Sequence, residues 1–311
     1  MDTILVADKV TKRYGKQTAL NAVSLHIPKN TIYGLLGPNG AGKTSLIRII
    51  NQITYPDSGQ VYLNGEILQP KHIAKIGYLP EERGLYKSMR VGEQVLYLAQ
   101  LKGMSKAEAK KRLIYWFDKF DIAPWWNKKV QELSKGMAQK IQFIVTVLHE
   151  PELLIFDEPF SGFDPINASL IKDEILALKA KGSSIIFSTH RMESVEELCD
   201  HIALIHRSEK LLDGKLAEIK DSFKSHHFKV NLTHITSAES VRSIANSYGV
   251  AELFFSENAQ QVSFEVHLPN GVSGSFLSQV GVLANISLFQ EVIPSANDIF
   301  IQTVKNREVN G

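Results

Sequence analysis

Gly37-Pro38-Asn39-Gly40-Ala41-Gly42-Lys43-Thr44 is a G-x-x-x-x-G-K-T sequence. It lies between an apolar run, Thr31 to Leu36, and a stretch in which Leu46, Ile49, Ile50 and Ile53 recur at helical spacing. Strand, glycine loop and helix in that order are what a phosphate-binding loop requires. The glycines let the backbone close round phosphate groups, with N–H groups at the positive end of the following helix pointing inward. Lys43 is placed to reach the β- and γ-phosphates, and Thr44 to offer its hydroxyl to Mg²⁺. Pro38, Asn39, Gly40, Ala41, Gly42 and Ser45 complete the cradle. The stretch says that a nucleoside triphosphate is held. It does not say what the energy drives, because kinases, GTPases, helicases, motors and transporters all carry such a loop.

Bulk properties narrow the choice. A chain of 311 residues suits one large domain and a small one. With 35 Lys+Arg against 33 Asp+Glu, it lacks the basic excess of a non-specific nucleic-acid binder, and nucleic acid is not expected as a partner. Cys199 is the only cysteine, which excludes an intrachain disulfide and a multi-thiolate metal site and suits a reducing cytosol. The start shows no secretory signal, and the most apolar stretches, near Ile141 to Leu148 and Leu153 to Phe156, are far too short to span a membrane. Any membrane role is expected to pass through a partner.

Residues 1 to about 80 read as β-rich, with Val61 to Leu63 and Glu66 to Leu68 flanking the turn signal Asn64-Gly65. From about 89 to 131 the pattern is helical. Val91, Val95, Leu98 and Leu101 share one face, and Leu113, Trp116, Phe117 and Phe120 follow on the next helix. Helices and short apolar strands then alternate to about residue 220, as in a mostly parallel sheet covered by helices. A polar stretch from Lys220 to His227 reads as a linker. Beyond it the order β-α-β-β-α-β predicts a ferredoxin-like unit over 228–311, with a final helix signalled by Ser295-x-x-Asp298.

Leu153-Leu154-Ile155-Phe156-Asp157-Glu158 is a second strong signal: a buried strand ending in two carboxylates at the carboxyl edge of a sheet. Asp157 is positioned to hold Mg²⁺ through water, and Glu158 to polarise an attacking water. Between the two signals Leu133-Ser134-Lys135-Gly136-Met137 opens a helix that Ser134 would cap, a second N-terminus suited to phosphate. Ser161-Gly162-Phe163-Asp164 and His190 come after them. In this order the motifs resemble those of the ATP-binding cassette (ABC) family over residues 1 to about 220. The resemblance implies an α/β P-loop NTPase cassette with a helical insertion, carrying here a small α+β appendage.

Further roles follow from the resemblance alone. Tyr14, in Lys12-Arg13-Tyr14-Gly15, matches the aromatic residue that stacks on adenine. His190 matches the histidine that contacts the γ-phosphate, and Asp164 the residue that couples two nucleotide sites. Ser134 and Gly136 match residues that act on ATP held by the opposite subunit. The implied active form is therefore a pair of cassettes, identical or not, enclosing two ATP molecules. Such a pair would lie on the cytoplasmic face of a membrane and drive a separate permease. The stretch Pro80-Glu81-Glu82-Arg83-Gly84-Leu85-Tyr86 resembles the branch associated with export of sodium, drugs or peptides.

Two departures stand out. Lys135 and Met137 replace the commoner Gly and Gln of the signature, and Glu81 replaces a glutamine that touches Mg²⁺ and senses the membrane partner. A carboxylate ligates Mg²⁺ at least as well as an amide oxygen. Trp116, Trp125 and Trp126 read as packing of the helical insertion, the alternative being a groove for the permease. His226 and His227 read as solvated linker residues, with no other ligand at metal spacing. A soluble cassette ATPase acting on ribosomes or DNA is the rival reading; one cassette and no sustained heptads count against it. A regulator without turnover is disfavoured by Glu158 and His190. Lys43→Ala is expected to abolish ATP binding in equilibrium titration, and normal affinity in that variant would overturn the phosphate-loop assignment.

Overall fold

The computed structural model describes residues 2–82, 84–269 and 271–310. The chain divides into two compact units, one running to Leu216 and including the last residues from Thr303, the other Ala217–Gln302.

In the first unit β1 (Thr3–Tyr14) and β2 (Gln17–Pro28) form a long antiparallel hairpin. After β3 (Ile32–Leu36) and α1 (Lys43–Ile50), the chain returns to β1 with β4 (Ser58–Leu63) and β5 (Glu66–Ile67), giving a sheet of order β2-β1-β4-β5. Asn64 and Gly65, at φ 51° and 81°, make the expected two-residue turn. The helical pattern after the glycine loop ends earlier than its spacing implied. Gln52 turns left-handed at φ 56°, α1 stops at Ile50, and Ile53 is exposed.

The helical insertion follows β6 (Ile76–Leu79) and comprises α2 (Val91–Leu101), α3 (Lys106–Lys119) and the start of α4 (Lys135–Val147). Most of its phenylalanine and tryptophan side chains pack inward, whereas Tyr97 and Tyr115 are exposed. Trp116 is buried against Phe120 and Phe143, and Trp126 meets Phe117 edge-on. Val91 and Val95 are buried as expected, whereas Leu101 at the end of α2 is exposed. There the neighbouring Lys102 folds in instead, its Nζ donating to Ile73 O and Ile76 O at 2.8 Å each. Burial pushes the pKa of Lys102 down to about 8.

The second sheet is completed by β7 (Leu153–Asp157), β8 (Ser184–Ser188), β9 (His201–His206) and β10 (Glu209–Lys215), with α5 (Pro165–Ala180) and α6 (Met192–Leu198) between strands and α7 (Leu216–Ser222) after them. Its order is β10-β9-β3-β8-β7-β6, with β6, β7, β8, β3 and β9 parallel and β10 antiparallel. Every residue of β3, β7 and β8 is buried, which is why they read as unbroken apolar runs. The carboxyl ends of these strands meet at one edge.

The second unit holds α7 from its second residue, β11 (His227–Thr233), α8 (Ala238–Ser247), β12 (Phe254–Phe255), β13 (Gln261–His267), α9 (Ser273–Gly281), β14 (Asn285–Glu291) and the start of α10 (Ala296–Asn310). The antiparallel order β12-β13-β11-β14 is the ferredoxin-like arrangement. Alternate residues of β13, Val262, Phe264 and Val266, pack with Val241, Phe276 and Val280. Ser295 and Asp298 close the expected capping box, Ser295 N and Asp298 N each donating to the other's side chain at 3.0 and 3.2 Å. The linker is shorter than the polar stretch implied, since α7 takes Lys220 to Ser222 and His227 opens β11 opposite His267. Among the described residues no group of three or more metal-ligating side chains forms, and no helix is long and apolar enough to cross a membrane.

Gly92 lies directly against Trp126: a β-carbon there would be 2.5–2.7 Å from the ring. Gly92→Ala is therefore expected to cost about 1–3 kcal/mol through overpacking, seen as a lower urea midpoint with the slope unchanged.

Candidate functional site

The glycine loop joins β3 to α1 at the carboxyl edge of the parallel sheet. Gly37 and Gly42 have φ of 144° and 118°, and a β-carbon on either would run into a backbone oxygen, of Ile205 or Ala19 respectively. The turn is thus wedged between β9 and the β1–β2 hairpin. Lys43 folds back over it, Nζ donating to Gly37 O at 2.6 Å and Pro38 O at 3.0 Å. A cavity of about 180 Å³ gathers Asn39, Gly40, Ala41, Gly42, Lys43, Thr44 and Ser45 with Tyr14, Gln17 and Ala19. The hairpin pairing Tyr14↔Gln17 brings the tyrosine to the loop, its ring half exposed and 5.5 Å from Lys12 Nζ. Gln17 and Ala19 have no motif of their own; only the hairpin places them here.

The parallel register sets the next shell. Leu79 pairs with Phe156, and Asp157 with Ser188, so the residues after β6, β7 and β8 emerge side by side. Asp157 is buried, and its carboxyl pKa is raised by that burial, with Glu81 and Glu158 adding to the shift. Burial lowers the pKa of Lys43, against the pull of the same three carboxylates. Three carboxylates therefore act on one ammonium, and Asp157 and Glu81 are oxygen donors of the kind a hard divalent cation takes beside phosphate.

Glu158 sits at φ 49°, in the left-handed region, with its N–H donating to Ser188 O at 2.8 Å. Its carboxylate is gripped from β8's exit: Oε1 accepts from His190 N at 2.8 Å and lies 2.7 Å from His190 Nδ1, and Oε2 accepts from Thr189 Oγ1 at 3.1 Å. The carboxylate is largely buried and the imidazole largely exposed. The structure thus brings Glu158 and His190 into direct contact. Thr189 is a positioning residue that nothing in the sequence marked.

Ser134 caps α4, its Oγ accepting from Met137 N at 3.3 Å. Gly136 abuts the Ser161–Asp164 turn: a β-carbon on it would be 3.7 Å from Gly162 O and 3.8 Å from the Phe163 ring. Asp164 caps α5, with Oδ1 accepting from Asn167 N at 3.0 Å. Further along α4, the nearly buried Gln142 donates from Nε2 to Pro80 O and Glu82 O, both at 3.3 Å. That amide holds the Glu81 turn to the helix that begins at Ser134. It too lacked a signal in the sequence beyond its place on a mostly apolar face.

The family profile described as ABC transporter matches residues 20–161, and that of the C-terminal domain of DrrA1-3-like ATP-binding proteins matches residues 214–304. The ABC transporter ATP-binding protein YhaQ of Bacillus subtilis is 44% identical over 97% of this chain and 98% of its own length. The linearmycin resistance ATP-binding protein LnrL of the same organism is 33% identical over 70% of each chain. A solved structure of the ATP-binding subunit of an ABC transporter superposes with a TM-score of 0.67 at 31% identity, covering 71% of this chain and 93% of that one. A phosphate loop, an acid-ended strand and a signature-like helix on one sheet edge accord with these relatives, two of which are named as ATP-binding parts of ABC transporters. The chain belongs to the ABC transporter family, as an ATP-binding subunit that hydrolyses ATP.

Proposed function

We propose that the chain binds ATP between the glycine loop and Tyr14, closes with a second cassette around two ATP molecules, and drives a transmembrane permease that exports its cargo. The grip of Thr189 and His190 on Glu158, next to the Lys43 loop, is the observation that carries the reading. It leaves a carboxylate fixed at the strand end where a water would approach the terminal phosphate. Glu158 is the proton acceptor for that water. His190, in contact with the same carboxylate, orients it and reaches the phosphate. Lys43 exchanges its bonds to Gly37 O and Pro38 O for phosphate oxygens, and the backbone from Asn39 to Thr44 takes the rest. Adenine stacks on Tyr14.

Thr44, Asp157 and Glu81 are the residues we assign to Mg²⁺, whose charge would neutralise the phosphates. Ser134 and Gly136 serve the ATP of the partner cassette. We place the ATPase domain over residues 1–220 and an accessory domain over 228–311, at the cytoplasmic face of the membrane. The exposed Tyr86 and Tyr97, in edge contact at 6.4 Å between centroids, support a permease-facing surface on the insertion. Trp116 and Trp126 are committed to packing and leave that role to the tyrosines. Export as the direction is supported by the resistance function in the name of LnrL.

Two measurements test this. Glu158→Gln is expected to slow turnover by about 10²–10⁴ with ATP binding intact, the scale for a positioned base; a near-normal rate moves that role elsewhere. Tyr14→Ala is expected to weaken ATP by about 1–3 kcal/mol, the range for a base stacked on an aromatic ring, while Tyr14→Phe binds normally. Equal affinity in all three proteins would remove the adenine from Tyr14.

A further inference from the structure

β9 and β10 are joined by Arg207 and Ser208, with His206 paired to Glu209 on either side of the turn. Both turn residues are left-handed, at φ 45° and 70°. A two-residue turn of this kind favours Asn-Gly or Gly-Gly, because a β-carbon is crowded at such angles. Arg-Ser is kept there by its surroundings, and a strained pair so held points to a task. Ser208 is buried and bonded on each side. Its N–H donates to Ala41 O at 3.1 Å, its Oγ donates to Thr18 O at 2.6 Å, and its carbonyl accepts from Asn21 N at 2.8 Å. It therefore staples the glycine loop to the β1–β2 hairpin beside Gly42.

The bond to Ala41 O has a directional consequence. That oxygen and the Gly42 N–H share one planar trans peptide, so they point opposite ways. With the oxygen held at Ser208, the Gly42 N–H is turned away from the β9–β10 turn, and among the described residues no acceptor takes it. Gly42 caps α1 and lines the loop cavity. An unpaired N–H at a helix start is a donor for phosphate, and one aimed in advance binds without the cost of ordering.

The turn is itself gripped from the end of the chain. Arg207 pairs with Glu308 at 2.8 Å, and Glu209 pairs with Arg307 at 2.9 Å while accepting from Asn21 Nδ2 at 3.1 Å. α10 opens in the second unit and closes, from Thr303, in the first. Both ion pairs are exposed, so each is weak and screened by salt. A latch of that strength is reversible.

We propose that Ser208 is a positioning residue for phosphate binding and that the end of α10 regulates it. Docked on Arg207 and Glu209, the helix keeps the turn in place, the Ala41–Gly42 peptide stays aimed, and ATP binds more tightly than when the helix is released. By linkage, bound ATP favours the docked helix to the same degree. This rests on the reading of the glycine loop as the phosphate cradle.

Full-length parent, Ser208→Gly, Glu308→Arg and the swapped pair Arg207→Glu/Glu308→Arg are titrated with a fluorescent ATP analogue, with inorganic tripolyphosphate as competitor, and unfolded in urea. Ser208→Gly loses the Oγ bond and relieves the left-handed angle. It is expected to weaken ATP and tripolyphosphate alike by about 2–10-fold, the yield of one net hydrogen bond, with the urea midpoint close to the parent's. Glu308→Arg is expected to weaken both ligands about 2–5-fold at low salt, the scale of an exposed ion pair. The difference should close at high salt and be reversed by the swapped pair. Parent-like or tighter binding in Glu308→Arg overturns the inference, since an added cation acting by charge alone attracts polyphosphate. A urea midpoint that falls in step with affinity in Ser208→Gly overturns it by making the residue merely structural. Loss for ATP without loss for tripolyphosphate does so by placing the effect on the hairpin that carries Tyr14. In each of these cases a parent that binds tripolyphosphate leaves the cradle reading standing, whereas a parent that binds neither ligand overturns both.

Discussion

A parallel strand buried along its whole length can carry charge only where it stops. β3, β7 and β8 have no solvent-facing side on which to place a polar residue, so the chemistry is pushed to their carboxyl ends, and the parallel arrangement puts all those ends at one edge. Asp157, Glu158, Thr189, His190 and the glycine loop are neighbours for this reason, although more than a hundred positions of sequence separate Lys43 from Asp157. The helical insertion and the antiparallel sheet frame that edge. The hairpin of β1 and β2 presses on Gly42 from one side, and the α4 end of the insertion meets the Ser161–Asp164 turn on another.

Electrostatics at the edge is set by this crowding. Among the described residues three carboxylates, Asp157, Glu158 and Glu81, act on one half-buried ammonium, Lys43. Such an edge is unfavourable when bare and becomes favourable when cations arrive, and the substrate adds further negative charge to the demand. Lys43 is held meanwhile on the carbonyls of its own loop, so its charge is not left unsolvated before phosphate enters.

How much of this was legible in the sequence depended on how local the cause was. The glycine loop, the acid-ended strand, the capping serine of α4 and the capping box at Ser295 are written in adjacent residues, and they could be read directly. The ferredoxin-like order was legible as well, because alternation along β11 and β13 and helical spacing between them are short-range patterns. What was not legible lay in register and in single backbone angles. Gln52 turning left-handed shortened α1 and released Ile53; the inward fold of Lys102 left Leu101 outside the core. Thr189 and Gln142 have ordinary identities, and their contacts with Glu158 and with the Glu81 turn arise only once β7, β8 and α4 are packed.

The contact of Gln142 has a mechanical meaning. α4 is 13 residues long, about 20 Å at the usual helical rise. Its middle is tied to Pro80 O and Glu82 O, and its first turn leans on Gly162 and Phe163. A stiff rod pinned at two points does not absorb a push; it passes it on. A displacement of the Glu81 turn would therefore reappear at Ser134 as a shift in aim, not as slack. In a pair of cassettes the turn and the helix that Ser134 opens would thus be two ends of one lever, and a movement of that turn would be felt at the nucleotides of both subunits.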